Sequence, residues 1–115
     1  MHLKGEAKLL RIFVGENDKS GNIPVYEKIV LSARERGLAG ATVFKGIMGF
    51  GGNSRIHTAK ILRLSEDLPL IIEIVDEAEK IEKFIPFVDE IFESSKSGGL
   101  ITIEKAEIIK YTSSK

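Results

Sequence analysis

The chain of 115 residues has no cysteine, two histidines, three prolines and no excess of charge of either sign. Without cysteine it can form no disulfide, no thiolate nucleophile and no thiolate metal site. His2 and His57 stand far apart, with no clustered carboxylate or second imidazole. They make a poor basis for a metal centre, so no metal cofactor is expected. The 17 Lys and Arg are balanced by 17 Asp and Glu, whereas a general nucleic-acid binder needs a basic excess. No apolar run approaches the ~20 residues that cross a bilayer. The opening Met1-His2-Leu3-Lys4-Gly5-Glu6 lacks the apolar core of a signal peptide, and a cytoplasmic protein is expected.

What is present is a composition 43% hydrophobic and 30% charged, suited to one folded domain over residues 1–115. Lys8–Val14 reads as a strand, followed by a turn signal from Gly15 to Asn22. Pro24 opens a helix as its first residue, with Val25, Tyr26, Ile29, Val30 and Ala33 at helical spacing and Gly37 as its stop. Ala41–Met48 is a second strand, ended by glycines, and Ile56–Leu64 is again strand-like. Leu70–Val75 is an apolar strand. Asp76 then reads as the cap of a second helix, with Glu79 completing a capping box. Ala78, Ile81, Phe84, Ile85, Val88, Ile91 and Phe92 form that helix's apolar stripe, and Pro86 should kink or break it. Leu100–Glu104 with Ala106–Tyr111 is the last strand, with a bulge expected near Lys105. Right-handed crossovers fold this order into a ferredoxin-like βαββαβ sandwich of class α+β, four antiparallel strands with two helices on one face.

The inner strands carry apolar groups on both faces. Leu10, Ile12 and Val14 alternate with Leu9, Arg11 and Phe13, and Leu70, Ile72 and Ile74 alternate with Ile71, Glu73 and Val75. Helices can bury only one face, and sheets apolar on both are covered on both, which predicts a closed homo-oligomer. Arg11 and Glu73 fall on the second face of neighbouring strands, where a cross-strand ion pair is expected.

Four glycines crowd into Gly46-Ile47-Met48-Gly49-Phe50-Gly51-Gly52, and Asn53-Ser54-Arg55-Ile56-His57-Thr58 follows. Such a loop is either a flexible hairpin tip or a nest of N–H groups for an anion. It is not a Walker A sequence, because no Gly-Lys-Ser/Thr follows. Arg55 either pins a phosphate or is solvated, and His57 is read as a loop hydrogen-bonder or a pH-sensitive contact. Ser97-Gly98-Gly99 is a second glycine turn, either a plain helix stop or the far wall of a ligand cleft. The serines of the loops lie in no nucleophile elbow and near no second usable base, so hydrolytic catalysis finds little support. The chain is read as a non-enzyme.

Gly49-Phe50-Gly51, His57-Thr58 and Leu68-Pro69-Leu70-Ile71-Ile72-Glu73-Ile74-Val75 resemble the T-loop base and following strand of PII signal-transduction proteins. There the pattern is Gly-Phe-Gly, His-Thr, Leu-Pro and a Lys-Ile-Glu-Ile-Val-Val strand. Ser97-Gly98-Gly99-Leu100-Ile101-Thr102-Ile103 is similar to the nucleotide-gripping B-loop. Gly37-Leu38-Ala39-Gly40-Ala41-Thr42-Val43, the Gly46 to Gly51 run and Leu64-Ser65-Glu66-Asp67-Leu68-Pro69 resemble still more closely a PII-like family of unknown function. The likeness extends from Leu10 to Ile108.

The resemblance implies a homotrimer that binds an adenine nucleotide in clefts between subunits and signals through a mobile loop, about residues 49–58, to a protein partner such as a membrane transporter or channel. Its nucleotide-binding residues would be Gly49, Phe50, Gly51, Gly52, Arg55, His57, Glu73, Lys96, Ser97, Gly98, Gly99 and Leu100. The Gly49–Arg55 loop is expected from one subunit and Ser97–Leu100 from a neighbour. The chain departs from PII in having no tyrosine between Gly51 and Pro69, and Leu100 and Leu70 where PII has lysines. Backbone amides, with Arg55 or Lys96, then carry the phosphate, and ADP, AMP or a cyclic nucleotide is expected as readily as ATP. Two other readings are a ligand-independent interaction module and a small phosphate-ester hydrolase. The hydrolase would need an arginine cradle beside Asn17 that the sequence does not supply.

Overall fold

Strand β1 (Gly5–Gly15) runs through the middle of the molecule, paired along both its edges. The computed structural model describes residues 5–52 and 67–113. After β1 come a two-rung hairpin, β2 (Lys19–Ser20) and β3 (Ile23–Pro24), then helix α1 (Val25–Glu35) and β4 (Thr42–Lys45). Strand β5 (Pro69–Glu77), helix α2 (Ala78–Ser95) and β6 (Leu100–Ile108) complete the order. The main sheet is antiparallel in the order β4-β5-β1-β6. This is the expected ferredoxin-like α+β sandwich.

Alternation along the strands decides which face is core. Leu10, Ile12 and Val14 of β1 and Leu70, Ile72 and Ile74 of β5 point to the helices and are buried. From α1 they meet Val25, Ile29 and Ala33, and from α2 Ile81, Phe84, Val88 and Ile91, the stripes read from the sequence. Among the described residues the opposite face has no helix on it. There Leu9, Phe13 and Ile71 are half-buried, while Phe44, Val75 and Leu100 are exposed.

Helix α1 ends in a complete Schellman motif. Gly37 takes φ 77°, its N–H donates to Arg34 O, and Leu38 N–H donates to Ala33 O. At the other end Pro24 is the N-cap, so the helix starts at Val25, one residue later than expected, and Asp18 O accepts the Val25 N–H at 2.8 Å.

Four expectations are corrected. Asp76 does not cap α2. It is the penultimate residue of β5, fully buried, and Glu77 takes the N-cap position without a side-chain bond. The Asp76 carboxyl instead accepts the Ala39 N–H at 2.9 Å and the Glu77 N–H at 2.6 Å, fastening the α1–β4 connection to the sheet. Of the kink or break expected at Pro86, the break is absent: α2 is continuous from Ala78 to Ser95, because buried Ile81, Phe84, Val88 and Ile91 straddle the proline and packing on both sides outweighs one lost bond. No bulge interrupts β6 at Lys105, since one register with β1 holds from Gly5↔Ile108 to Phe13↔Leu100. Strand β4 stops at Lys45 because the glycine run then leaves the ladder, its last tie being Gly46 N–H to Pro69 O at 2.8 Å. The strand expected over Ile56–Leu64 lies outside the described residues.

Asp76→Ala would leave the Ala39 and Glu77 amides without their acceptor. A loss of about 3 kcal/mol is expected, read in urea titrations and as a Tm lower by roughly 10 °C. Asp76→Asn, which keeps one carbonyl acceptor, should cost less.

Candidate functional site

The antiparallel registers gather one end of the sheet. Gly15 at the end of β1 lies opposite Pro69 at the start of β5, and Phe13 lies opposite Leu100 at the start of β6. The glycine run departs from β4 at this same end, because Lys45 pairs with Leu70. A cleft of about 430 Å³ results, a size suited to a small ligand. Its walls come from Phe13, Val14, Gly15 and Asp18 after β1, from Asp67 and Pro69 before and in β5, and from both glycine loops.

Phe50, Gly51 and Gly52 line it from the first loop, and Gly98, Gly99 and Leu100 from the second. Sequence reading put these two loops on adjacent subunits. They converge within a single chain, because β1 holds the starts of β5 and β6 on its two sides.

The remaining candidates fall elsewhere. Gly49 precedes the lining residues, close against the Pro69 ring. Ser97 closes the second loop on itself. Ser95 Oγ donates to Ile91 O at 2.7 Å, which leaves Ser97 Oγ to donate to Ser95 Oγ at 2.6 Å. Lys96 is the C-cap of α2, exposed and left-handed at φ 57°. Glu73 lies on the open sheet face, where its Oε2 accepts from Arg11 Nε at 2.8 Å. Arg11 also pairs with Glu104. The expected ion pair is therefore present, and it sets Glu73 apart from the cleft lining of its own chain. Arg55 and His57 lie outside the described residues.

The Arg11 guanidinium is pushed above the usual arginine range, first by its hydrogen bond to Glu73. A raised value means the pairing is fully present below the ordinary arginine pKa and is lost only as pH climbs through the raised one. It is therefore constant across neutral pH.

Gly99 has a packing reason to be glycine. A Cβ there would lie 2.5 Å from Phe92 Cζ and 2.8 Å from the Phe13 carbonyl oxygen. The close approach lets β6 begin against β1 and brings Leu100 into the wall.

Sequence reading missed Phe13, Asp18, Asp67 and Pro69 as site residues. Asp18 falls in the turn signal from Gly15 to Asn22 and Asp67 only in the segment of family resemblance; both carboxylates hold the turn after β1. Asp18 Oδ2 accepts the Gly15 N–H at 2.9 Å, and Asp67 Oδ1 accepts the Asn17 N–H at 3.1 Å. Beside them Lys45 Nζ meets Glu16 Oε2 at 2.8 Å, tying β4 to the same turn. No local signal joins positions 18 and 67; only the β1–β5 register does.

Chemically, the described walls offer two aromatic rings, backbone amides and two carboxylates, with no Lys, Arg or His among them. No group of three or more potential metal ligands occurs among the described residues. The arrangement can stack a flat ring and hydrogen-bond hydroxyls or amines. It brings together no nucleophile and base.

Residues 7–108 match the family described as Uncharacterized ACR, COG1993. The chain belongs to this DUF190 family. It is 44% identical over 102 residues to a UPF0166 protein of Aquifex aeolicus (strain VF5), covering 89% of this chain and 92% of that protein. A UPF0166 protein of Methanocaldococcus jannaschii is 38% identical over 105 residues, 91% of this chain and 94% of its own. Among solved structures, CPII from Thiomonas intermedia K12, bound to ADP and bicarbonate, is similar at TM-score 0.66 and 16% identity. That match covers 91% of this chain and 90% of the other. At that identity the likeness is one of fold, and the fold of the DUF190 chain is PII-like. The resemblance read from the glycine loops holds for family and fold.

Two substitutions separate packing from function here. Lys96→Gly relieves a left-handed side chain and should stabilise the fold by about 1 kcal/mol. Gly99→Ala should destabilise it by about 1–3 kcal/mol through the contacts with Phe92 and the Phe13 carbonyl. Urea midpoints moving in these opposite directions check both.

Proposed function

We propose that this DUF190 protein is a PII-like regulator, not an enzyme, and that its cleft binds an adenine nucleotide. One observation carries the reading: two glycine loops 46 residues apart in sequence, Gly51-Gly52 and Gly98-Gly99, line one cleft with aromatic walls. A base can stack on Phe13 or Phe50, and glycine lets phosphate oxygens approach backbone amides without a Cβ between. The ADP-bound CPII structure shares this fold and supports the choice of ligand class.

The regulator acts by ordering the loop that begins at Gly49 and extends to about residue 58. A ligand shifts that equilibrium only if it binds one loop state more tightly. The open sheet face, carrying Leu9, Phe13, Phe44, Ile71 and Val75, supports assembly into a homotrimer that covers it. The loop then addresses a protein partner. Lys96 and Arg55 are the cations proposed to reach the phosphates from outside the described walls. A phosphate-ester hydrolase reading finds no arginine among the described lining residues.

Isothermal calorimetry of the full chain with AMP, ADP and ATP tests the reading, with dissociation constants below about 1 mM expected, well above the noise of the method. Gly98→Trp fills the cleft and should abolish that heat while leaving the oligomer seen by light scattering intact. Absence of heat with every nucleotide, from a protein shown to be trimeric, points instead to an interaction module that needs no small molecule. A monomer at micromolar concentration removes the trimer.

A further inference from the structure

The cleft has a sign. The carboxylates of Asp18 and Asp67 both converge beside Gly15. Asp67 Oδ1 and Asp18 Oδ2 reach within 3.0 and 3.1 Å of the point a Gly15 Cβ would occupy. Each carboxylate uses one oxygen on a backbone amide, of Asn17 and Gly15 respectively. These are weak partners for a charge, so the pair's negative charge is not neutralised by a cation among the described lining residues. Lys45, at the edge of this turn, is engaged by Glu16 at 2.8 Å.

We infer that Asp18 and Asp67 are specificity-determining residues that grade adenosine ligands by their negative charge, favouring adenosine and AMP over ATP. This rests on the nucleotide reading above and deepens it. A space of about 430 Å³, were it spherical, is roughly a nanometre across, so a phosphate held inside stands about a Debye length or less from both carboxylates. Phe50, Leu100 and Asp67 are exposed, so water and salt damp that repulsion without abolishing it at these separations. Against whatever Lys96 and Arg55 supply from outside the described walls, the two carboxylates oppose each phosphate charge held inside, and that opposition falls on the charge, not on the base or ribose that all these ligands share. A cleft evolved to grip triphosphate would place lysine or arginine where this one places aspartate.

The test measures adenosine, AMP and ATP binding by calorimetry in EDTA, so that no divalent cation masks the phosphates. Wild type is compared with Asp18→Asn/Asp67→Asn. Asparagine keeps a carbonyl oxygen for the Gly15 and Asn17 amides, so the turns survive. The ATP-to-adenosine affinity ratio should rise by about tenfold or more in the double variant, with AMP between. Damage to the fold would lower all three together and leave the ratio still.

A second measurement needs no variant. Raising salt from about 50 to about 500 mM should improve ATP relative to adenosine in wild type, since screening weakens repulsion. A cationic phosphate site does the opposite. A ratio unmoved by the substitutions, or ATP binding that weakens with salt while adenosine holds, overturns the inference and leaves the nucleotide reading standing. No heat from any of the three ligands, with either protein, means that the nucleotide reading itself has failed.

Discussion

Everything in this structure depends on β1 being hydrogen-bonded along both edges in two uninterrupted registers. One edge carries β5 from Ala7↔Glu77 to Gly15↔Pro69, the other β6 from Gly5↔Ile108 to Phe13↔Leu100. A one-residue slip in either would turn buried Leu10, Ile12 and Val14 to the open face and expose the core. The same registers fix the site. They place the starts of β5 and β6 beside Phe13, Val14 and Gly15, so that loops distant in the chain share one cleft.

Packing and recognition compete for the same residues at that end. Gly99 is required by Phe92 and the Phe13 carbonyl before any ligand is considered, and its presence in a glycine loop is therefore not by itself a mark of phosphate binding. Among the described residues nothing lies within 4 Å of where a Cβ would stand on Gly51 or Gly52, so the packing demand that fixes Gly99 has no counterpart there. Lys96 shows the opposite compromise, a lysine held in a left-handed conformation that glycine would adopt at lower cost.

The open sheet face combines an apolar surround with one charged cluster, Arg11 between Glu73 and Glu104. On a wet surface such a pair contributes little. Under a covering subunit it would be desolvated, and losing one member would strand a charge. The cluster is therefore a small source of stability for the single chain. Much of this was legible beforehand: the alternation of Leu9, Arg11 and Phe13 against Leu10, Ile12 and Val14 gave both the ion pair and the uncovered face. Asp76 was not. Its Asp-x-x-Glu spacing imitates a capping box, and only the nearness of Ala39, 37 residues away, shows the carboxyl bound to another connection.

Local pattern alone settled what depends on neighbours a few residues apart. The period of two in the strands, the period near four in the helices, the Gly37 stop and the paired glycine loops all belong here, because side-chain direction follows backbone period. The family and the PII-like fold were also legible, since Gly-Phe-Gly and the Leu-Pro strand keep their order along the chain. Tertiary structure alone decided which loops meet, that they do so inside one chain, and that the Asp18 and Asp67 carboxylates converge beside Gly15. Residues 49 positions apart carry no mutual signal in sequence; the antiparallel pairing of β1 with β5 makes them neighbours and gives the cleft its charge.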